Sequence, residues 1–465
     1  MEVLMPNSQY IHHFSSPHTQ DVALYHSLSM DIVYCNPTLD PATLPINDSK
    51  ESIIQTNIQP EITVMYLLLT NNCNLRCRYC TVQYNLNDAS IKVMDTTTIK
   101  KSIQLFKELV PSGKKASITF FGGEPTLNPN GLQAALMEIS HTFTPDEIQV
   151  FMVSNGTAIT EKIIDMLVQY NVFPIISIDG WQEIHDQMRV YDNDTGSYQD
   201  AIAGYNRLKD KGLNVGISTL VGKHNCEYLP EITSFFIQEL KAFNLGMSLP
   251  HIKPEAADVS IELLTPELIS SWEIARDNNF YIMQIGKRFN ALAKQKPILR
   301  SCPGSKGWSM IRILPDGTIT LCENMGLKNK AVLGNVNNSL PGMISPTPFD
   351  VINHPEIIDW NKRYPYNMND CLTCSAISIC GGGCPYDAFL KTGSIHNPEQ
   401  RSCYLSRHLL EWAIWDIYKR VDMSQGFAVP TKEQRQGILP KELPYFMENK
   451  GNYSGKGIYH GKHIS

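Results

Sequence analysis

The sequence predicts an α/β fold in which six βα units build a partial barrel, followed by a cysteine-rich region. Three observations carry that prediction. From residue 61, apolar strand-like runs alternate with segments of helical periodicity. From residue 302 the composition shifts towards Gly, Cys and Pro. The chain has 465 residues, more than one domain of about 150 residues would use.

The elements follow in order. "ITVMYLLLT" (62–70) is a continuous apolar run suited to a buried strand. "TTTIKKSIQLFKELV" (96–110) repeats Ile99, Ile103, Phe106 and Val110 on one helical face. "ASITFFGG", "IQVFMVSNGT", "VFPIISIDG", "LNVGISTLVG" and "NLGMSLP" continue the strands. "NGLQAALMEIS", "EKIIDMLVQY", "SYQDAIAGYNRLKDKG" and "LPEITSFFIQELKAF" supply the helices between them. Such alternation implies a parallel sheet with helices outside it. A closed eight-unit barrel takes about 250 residues, so six units in this shorter span fit a partial one.

Four segments are expected: an N-terminal extension (1–60), the barrel with bridging helices near 260–295 (61–295), a cysteine-rich domain (296–420) and a tail (421–465). In the extension, "DVALYHSLSMDIVYC" (21–35) reads as a short hairpin and "HHFSSPH" (12–18) as a polar loop. "IRILPDGTITLCE" (311–323) is a second hairpin with "PDG" at its turn. "RHLLEWAIWDIYKRV" (407–421) is an amphipathic helix with Leu409, Trp412, Ala413 and Ile417 inward. The tail reads as polar chain draped over the body or mobile.

Composition excludes several classes. The net charge of -6, without a basic run, argues against a nucleic-acid partner. The start, "MEVLMPNSQYIHHF", lacks the pattern of a signal peptide. No apolar stretch approaches the roughly 18 residues of a membrane span. The expected compartment is the cytoplasm, where disulfides are rare and clustered cysteines bind metal or do chemistry.

The twelve cysteines fall into groups. Cys73, Cys77 and Cys80 form C-x3-C-x2-C in the loop after the first barrel strand. Cys302 and Cys322 come later, then C-x2-C-x5-C-x3-C at Cys371, Cys374, Cys380 and Cys384, and finally Cys403. Cys35 and Cys226 read as buried apolar residues. Structural zinc takes four ligands, whereas a 4Fe–4S cluster on three cysteines leaves one iron for another ligand. The later "CLTC…CGGGC" is compatible with zinc, a redox dithiol or iron–sulfur by spacing alone.

The first loop, with Tyr79 before its last cysteine, resembles that of the radical S-adenosylmethionine (SAM) enzymes. "FGGEP" (121–125), "SNGT" (154–157), "ISIDG" (176–180) and "HDQMR" (185–189) fall at or after successive strand ends and strengthen the likeness. The resemblance implies a 4Fe–4S cluster on Cys73, Cys77 and Cys80 that binds SAM, and reductive cleavage to a 5′-deoxyadenosyl radical. It implies SAM contacts from Tyr79, Gly122, Gly123, Glu124, Pro125, Asn155, Ser177, Asp179, Arg189 and Val221.

Residues 296–405 resemble the SPASM extension of radical enzymes that modify peptides and proteins. That implies two auxiliary iron–sulfur clusters. Cys371, Cys374, Cys380 and Cys403 would hold the distal one. Cys302, Cys322 and Cys384 would hold the proximal one, which is then one ligand short. Glu323 stands where sulfatase-maturating relatives place an aspartate base, making it a candidate acid/base. The implied partners are a precursor peptide or protein and an electron donor such as ferredoxin or flavodoxin. The expected function is thioether or carbon–carbon crosslinking of a ribosomally made peptide. The alternatives are oxidation of Cys or Ser to formylglycine, or a non-enzymatic electron-transfer or zinc scaffold. The extension hairpin is a candidate for leader-peptide pairing by strand addition.

Overall fold

The computed structural model describes residues 9–39, 44–46, 61–86, 91–300, 302, 309–337 and 347–442. Its strands are β1 (Ile11–Ser15), β2 (Val22–His26), β3 (Ile32–Cys35), β4 (Val64–Thr70), β5 (Ala116–Gly122), β6 (Ile148–Ser154), β7 (Val172–Ser177), β8 (Gly216–Leu220), β9 (Leu245–Ser248), β10 (Met310–Ile313), β11 (Thr318–Thr320), β12 (Val332–Asn335) and β13 (Phe427–Ala428). Two compact units result. One is drawn from Met1–Gln59, Ser260–Lys306 and Lys362–Glu442, the other from Pro60–Val259, Gly307–Asn361 and Leu443–Ser465.

In the second unit, β4 to β9 lie side by side in chain order, all parallel. Met65 faces Ile118 across the first pair, and Ile118 faces Val150 across the next. Met65, Leu67, Ile118, Phe120 and Met152 are wholly buried, as strands covered on both faces require. The helix Thr96–Leu109 starts on Asp95, whose carboxylate accepts the Thr98 N–H at 2.9 Å, and it buries Ile99, Ile103 and Phe106. Val110 departs from the expected pattern, being an extended C-cap (φ −71°, ψ 119°). Pro111 follows it, and a residue before proline is pushed out of the helical region.

The β10–β11 hairpin forms as expected, with Gly317 at φ +85° in the turn. Its placement was not legible: β10 pairs parallel with β4, Met310 against Val64 and Ile313 against Leu67, so the hairpin and β12 extend the barrel sheet.

The first unit holds a four-stranded antiparallel sheet in the order β1-β2-β3-β13. The expected hairpin is its β2–β3 pair. Residues 12–15, read from sequence as part of a polar loop, form β1 together with Ile11 instead. Pairing with β2 overrides their polarity, and Phe14 packs edge-on to Tyr25 at 6.3 Å. Of the two alternatives for the tail, residues 421–442 take the one packed on the body. β13 pairs with β3, Arg435 donates to the Met30 carbonyl at 2.7 Å, and the Trp272 indole N–H donates to the Ile438 carbonyl at 3.1 Å. Residues 443–465 lie outside the described residues. The helices Ile261–Asp277, Met283–Lys294 and Gln400–Tyr418 pack around Trp272, Phe289 and Trp412, with Leu409, Ala413 and Ile417 fully buried.

Candidate active site

The C-terminal ends of β4 to β8 carry the three-cysteine loop and the predicted SAM contacts. The loop after β4 bears Cys73, Cys77 and Cys80 and is tied down by backbone bonds from Arg76 N–H to Val190 O (2.7 Å) and Arg78 N–H to Met188 O (2.9 Å). The thiols feel one another electrostatically. Burial pushes the Cys73 and Cys77 thiols up to about 12 and raises Cys80. Cys73 Sγ accepts the Leu75 N–H at 3.4 Å and the Asn155 amide at 3.8 Å.

Gly122 and Gly123 leave β5 against this loop. A Cβ on Gly123 would stand 2.0 Å from the Asn72 carbonyl oxygen, so only glycine fits there. The turn delivers Glu124, fully buried, whose Oε1 accepts from Thr126 N–H (3.1 Å), Thr126 Oγ1 (2.7 Å) and Ser154 Oγ (2.8 Å). Its Oε2 accepts the Asn155 N–H at 2.8 Å. Burial raises the Glu124 carboxyl, and these donors partly offset it. Oε2 takes one of the four donors, which leaves it lone-pair capacity for a cationic ligand. Pro125 opens the short 3-10 turn Pro125–Leu127. Asn155 also donates to Asn74 Oδ1 at 2.9 Å, joining the β6 end to the cysteine loop.

Asp179, beyond β7, is a buried hub. Its Oδ2 accepts from the Tyr79 hydroxyl and from Arg189 Nε at 3.0 Å, and its Oδ1 from Arg189 Nη2 at 3.2 Å and Leu220 N–H at 3.1 Å. His224 Nε2 lies 3.6 Å from Oδ2. Burial works to raise the Asp179 carboxyl, but Arg189 and His224 outweigh it and hold it well below the usual range. One carboxylate therefore joins the cysteine loop, the segment after β7 and the end of β8. Arg189, expected as a SAM contact, has its fork on Asp179 and its guanidinium 5.4 Å from the Tyr79 ring centroid. Ser177 is half-buried at the end of β7. Val221 is buried, its N–H on the Ser248 carbonyl at 2.9 Å.

Sequence reasoning missed His185 and His224. Asp179 N–H points at His185 Nδ1 (3.4 Å) while Nε2 faces Ser197 Oγ (3.1 Å), so the network assigns a neutral Nε2–H tautomer. The first of these histidines was visible in "HDQMR", though not its role.

Glu323 opens the short helix Glu323–Gly326 and is ion-paired with Arg312. Its neighbour Asn324 accepts from Asn85 at 3.0 Å and meets His251 Nε2 at 3.3 Å. Cys322 belongs to this same unit.

In the first unit, Cys371, Cys374, Cys380 and Cys403 influence one another electrostatically. A hydrogen bond with Cys403 brings the Cys380 thiol down to about 6, and the same bond raises Cys403. Burial pushes Cys371 up to about 12 and raises Cys384, which feels Asp387 and Cys302. The structure thus brings together the four expected distal cysteines, and separately Cys302 with Cys384. The donor chemistry fits iron–sulfur ligation in both units: three thiols on one loop, and four thiols that face each other.

Residues 67–236 match the family model described as Radical SAM superfamily. The chain carries a radical SAM domain over those residues. It is 24% identical over 379 residues to the radical SAM cyclopropyl synthase TigE of Paramaledivibacter caminithermalis, covering 78% of this chain and 76% of that one. It is 28% identical over 170 residues to a cysteine-type anaerobic sulfatase-maturating enzyme of Clostridium novyi, covering 36% of this chain and 46% of that one. In fold it matches anSMEcpe with bound AdoMet, with a TM-score of 0.64 at 16% identity, covering 81% of this chain and 98% of that one. It also matches Streptococcus suis SuiB bound to precursor peptide SuiA, with a TM-score of 0.53 at 15% identity, covering 85% and 99%. The family implies a 4Fe–4S cluster and AdoMet. No helix among the described residues is long and apolar enough to cross a membrane.

Proposed function

We propose that this chain is a radical SAM peptide maturase that forms a carbon–carbon or thioether bond within a ribosomally made precursor peptide. The observation that carries this is the convergence of the three-cysteine loop, Glu124 and Asn155 at one end of the parallel sheet, in a chain whose other unit gathers further thiols. The relative named as a cyclopropyl synthase favours carbon–carbon bond formation. The fold matches solved with peptides present favour a peptide substrate.

Cys73, Cys77 and Cys80 would hold the SAM-binding cluster, which supplies a 5′-deoxyadenosyl radical able to remove a substrate hydrogen atom. The chain's own residues bind and orient. Glu124 Oε2 receives the ammonium of the methionyl group, and Gly122 and Gly123 let that group approach the backbone. Tyr79 and Arg189, both on Asp179, hold the loop at a fixed height over the sheet. Ser177 and Val221 line the ribose and adenine side. Cys371, Cys374, Cys380 and Cys403 would hold one auxiliary cluster, and Cys302 and Cys384 would contribute to another. Glu323, oriented by Arg312, is the candidate proton acceptor beside Cys322. The donor of electrons is a small redox protein such as ferredoxin or flavodoxin.

The test is direct. The reconstituted, reduced chain is given AdoMet and, in turn, each small peptide found to be encoded near its gene. A loss of two hydrogens from the peptide, stoichiometric with 5′-deoxyadenosine, is the expected result. 5′-Deoxyadenosine without any peptide change, but with conversion of a sulfatase Cys or Ser to formylglycine, would replace this reading by the sulfatase-maturating one.

A further inference from the structure

Gly381, Gly382 and Gly383 have φ of +75°, +82° and +72°. Three successive residues in the left-handed region are a glycine conformation. The turn separates Cys380 from Cys384 and is packed closely: a Cβ on Gly383 would lie 2.5 Å from Glu399 Cβ and 2.9 Å from Ser402 Cβ.

Arg363 grips this turn from one side. Its Nη2 donates to the Gly382 carbonyl at 2.7 Å and its Nη1 to the Gly383 carbonyl at 3.1 Å. Nε donates to the Ile395 carbonyl, and Nη2 is also 3.5 Å from the Asn397 carbonyl. The guanidinium therefore bridges the glycine turn and the 395–397 segment, and one of its five N–H groups remains over. The residue is 4% exposed.

None of these acceptors is a carboxylate. Glu399 accepts from Arg401 Nε at 2.8 Å and from the Ser402 N–H at 3.1 Å, and Asp387 pairs with Arg401 at 3.0 Å. The charged-state neighbours that weigh most on Arg363 are Cys384, Cys302, Cys380 and Cys371. A buried cation without an anion is costly. Among the described residues, those four thiols, as thiolates, are placed to supply the missing charge, and they belong to both cysteine groups.

We infer that Arg363 is the shared counter-cation and positioning residue of the two cysteine groups: it fixes the glycine turn between Cys380 and Cys384 and balances their thiolates when clusters are loaded. The inference rests on the cluster reading under the proposed function.

The test uses the full chain bearing Cys77→Ala, so that the first loop's cluster does not contribute, with and without Arg363→Gln or Arg363→Lys. Iron and acid-labile sulfide are measured per chain, and the EPR signal is followed through an anaerobic redox titration. Arg363→Gln should lose iron and sulfide and shift the remaining midpoint potential to more negative values, because removing a positive charge disfavours the more reduced state. Arg363→Lys keeps the charge but cannot span both carbonyl pairs. It should hold the potential near the parent's while changing the EPR line shape. If the Gln variant does not fold, the Lys variant decides, and an unchanged line shape there overturns the positioning role. Parental iron, sulfide and potential in a folded Arg363→Gln chain overturn the inference alone. A Cys77→Ala parent that takes up no iron overturns the cluster reading itself.

Discussion

Arg189 in the second unit and Arg363 in the first are both buried guanidiniums set beside cysteines. Arg189 has its counter-ion built in: Asp179 takes both ends of its fork. Burial works to lower Arg189, but Asp179 outweighs it and the group is held more firmly protonated than in water. Arg363 has carbonyl oxygens and thiols instead, and burial lowers it. The contrast teaches that the same residue type can be complete within the polypeptide or completed by what the polypeptide binds. The three-cysteine loop rests on a network that is balanced without metal. The glycine turn rests on a charge that asks for thiolate.

The comparison can be broken at several points. The largest effect is expected from Cys77→Ala, which should reduce 5′-deoxyadenosine to background in a chromatographic assay while iron held by the first unit stays. Loss of all iron together would overturn the reading that the first unit holds clusters of its own.

Asp179→Asn is next. It leaves Arg189 buried without its anion, and breaking a buried pair from one side costs about 3–5 kcal/mol. Anaerobic urea titration should show that loss with a displaced Tyr79. A variant as stable as the parent would mean that Arg189 finds another partner, as Arg363 does.

Gly383→Ala should cost about 1–3 kcal/mol of backbone strain, a general figure for non-glycine residues held left-handed. The close approach to Glu399 and Ser402 adds to it. The readout is auxiliary iron content, with 5′-deoxyadenosine formation kept. An alanine variant with full auxiliary iron would show that the turn tolerates a side chain.

Taken per pH unit, the smallest effect comes from protonation of a buried histidine. Burial, helped by Arg189, lowers the His185 imidazole to about 3. Its folded value lies below the unfolded one near 6.5, so its contribution is fully present above about 6.5 and is lost as pH falls towards 3. Within that window each unit should lower stability by up to about 1.4 kcal/mol. His185→Gln should flatten this slope in denaturant titrations between those limits, and an unchanged slope would assign it to other groups.

Much of the second unit was readable because its signals are local. A buried parallel strand is a continuous apolar run, and "FGGEP" or "SNGT" at a strand end announces a loop where chemistry can sit. Asp179 and Arg189 were both singled out, but as separate ligand contacts. Their pairing depends on how the segment after β7 folds back, which ten residues of spacing do not encode. Arg363 was invisible. In "NKRYPYN" it reads as a surface cation, and only the approach of the distant 381–397 segment buries it. β1 and β13 escaped for the same reason, since a five-residue polar strand and a two-residue one exist through their partners.

The β3–β13 pairing also sets a timetable for synthesis. β3 ends at Cys35, but its partner starts at Phe427. During translation at about 5–20 residues per second, the N-terminal strands must wait most of the chain's synthesis for that edge to be covered. The parallel strands β4 to β9, by contrast, meet their neighbours in the order in which they leave the ribosome. The cysteines of the first unit are thus gathered late, after the three-cysteine loop has its sheet beneath it. Delivery of iron and sulfide to the nascent protein would meet the two regions in that sequence.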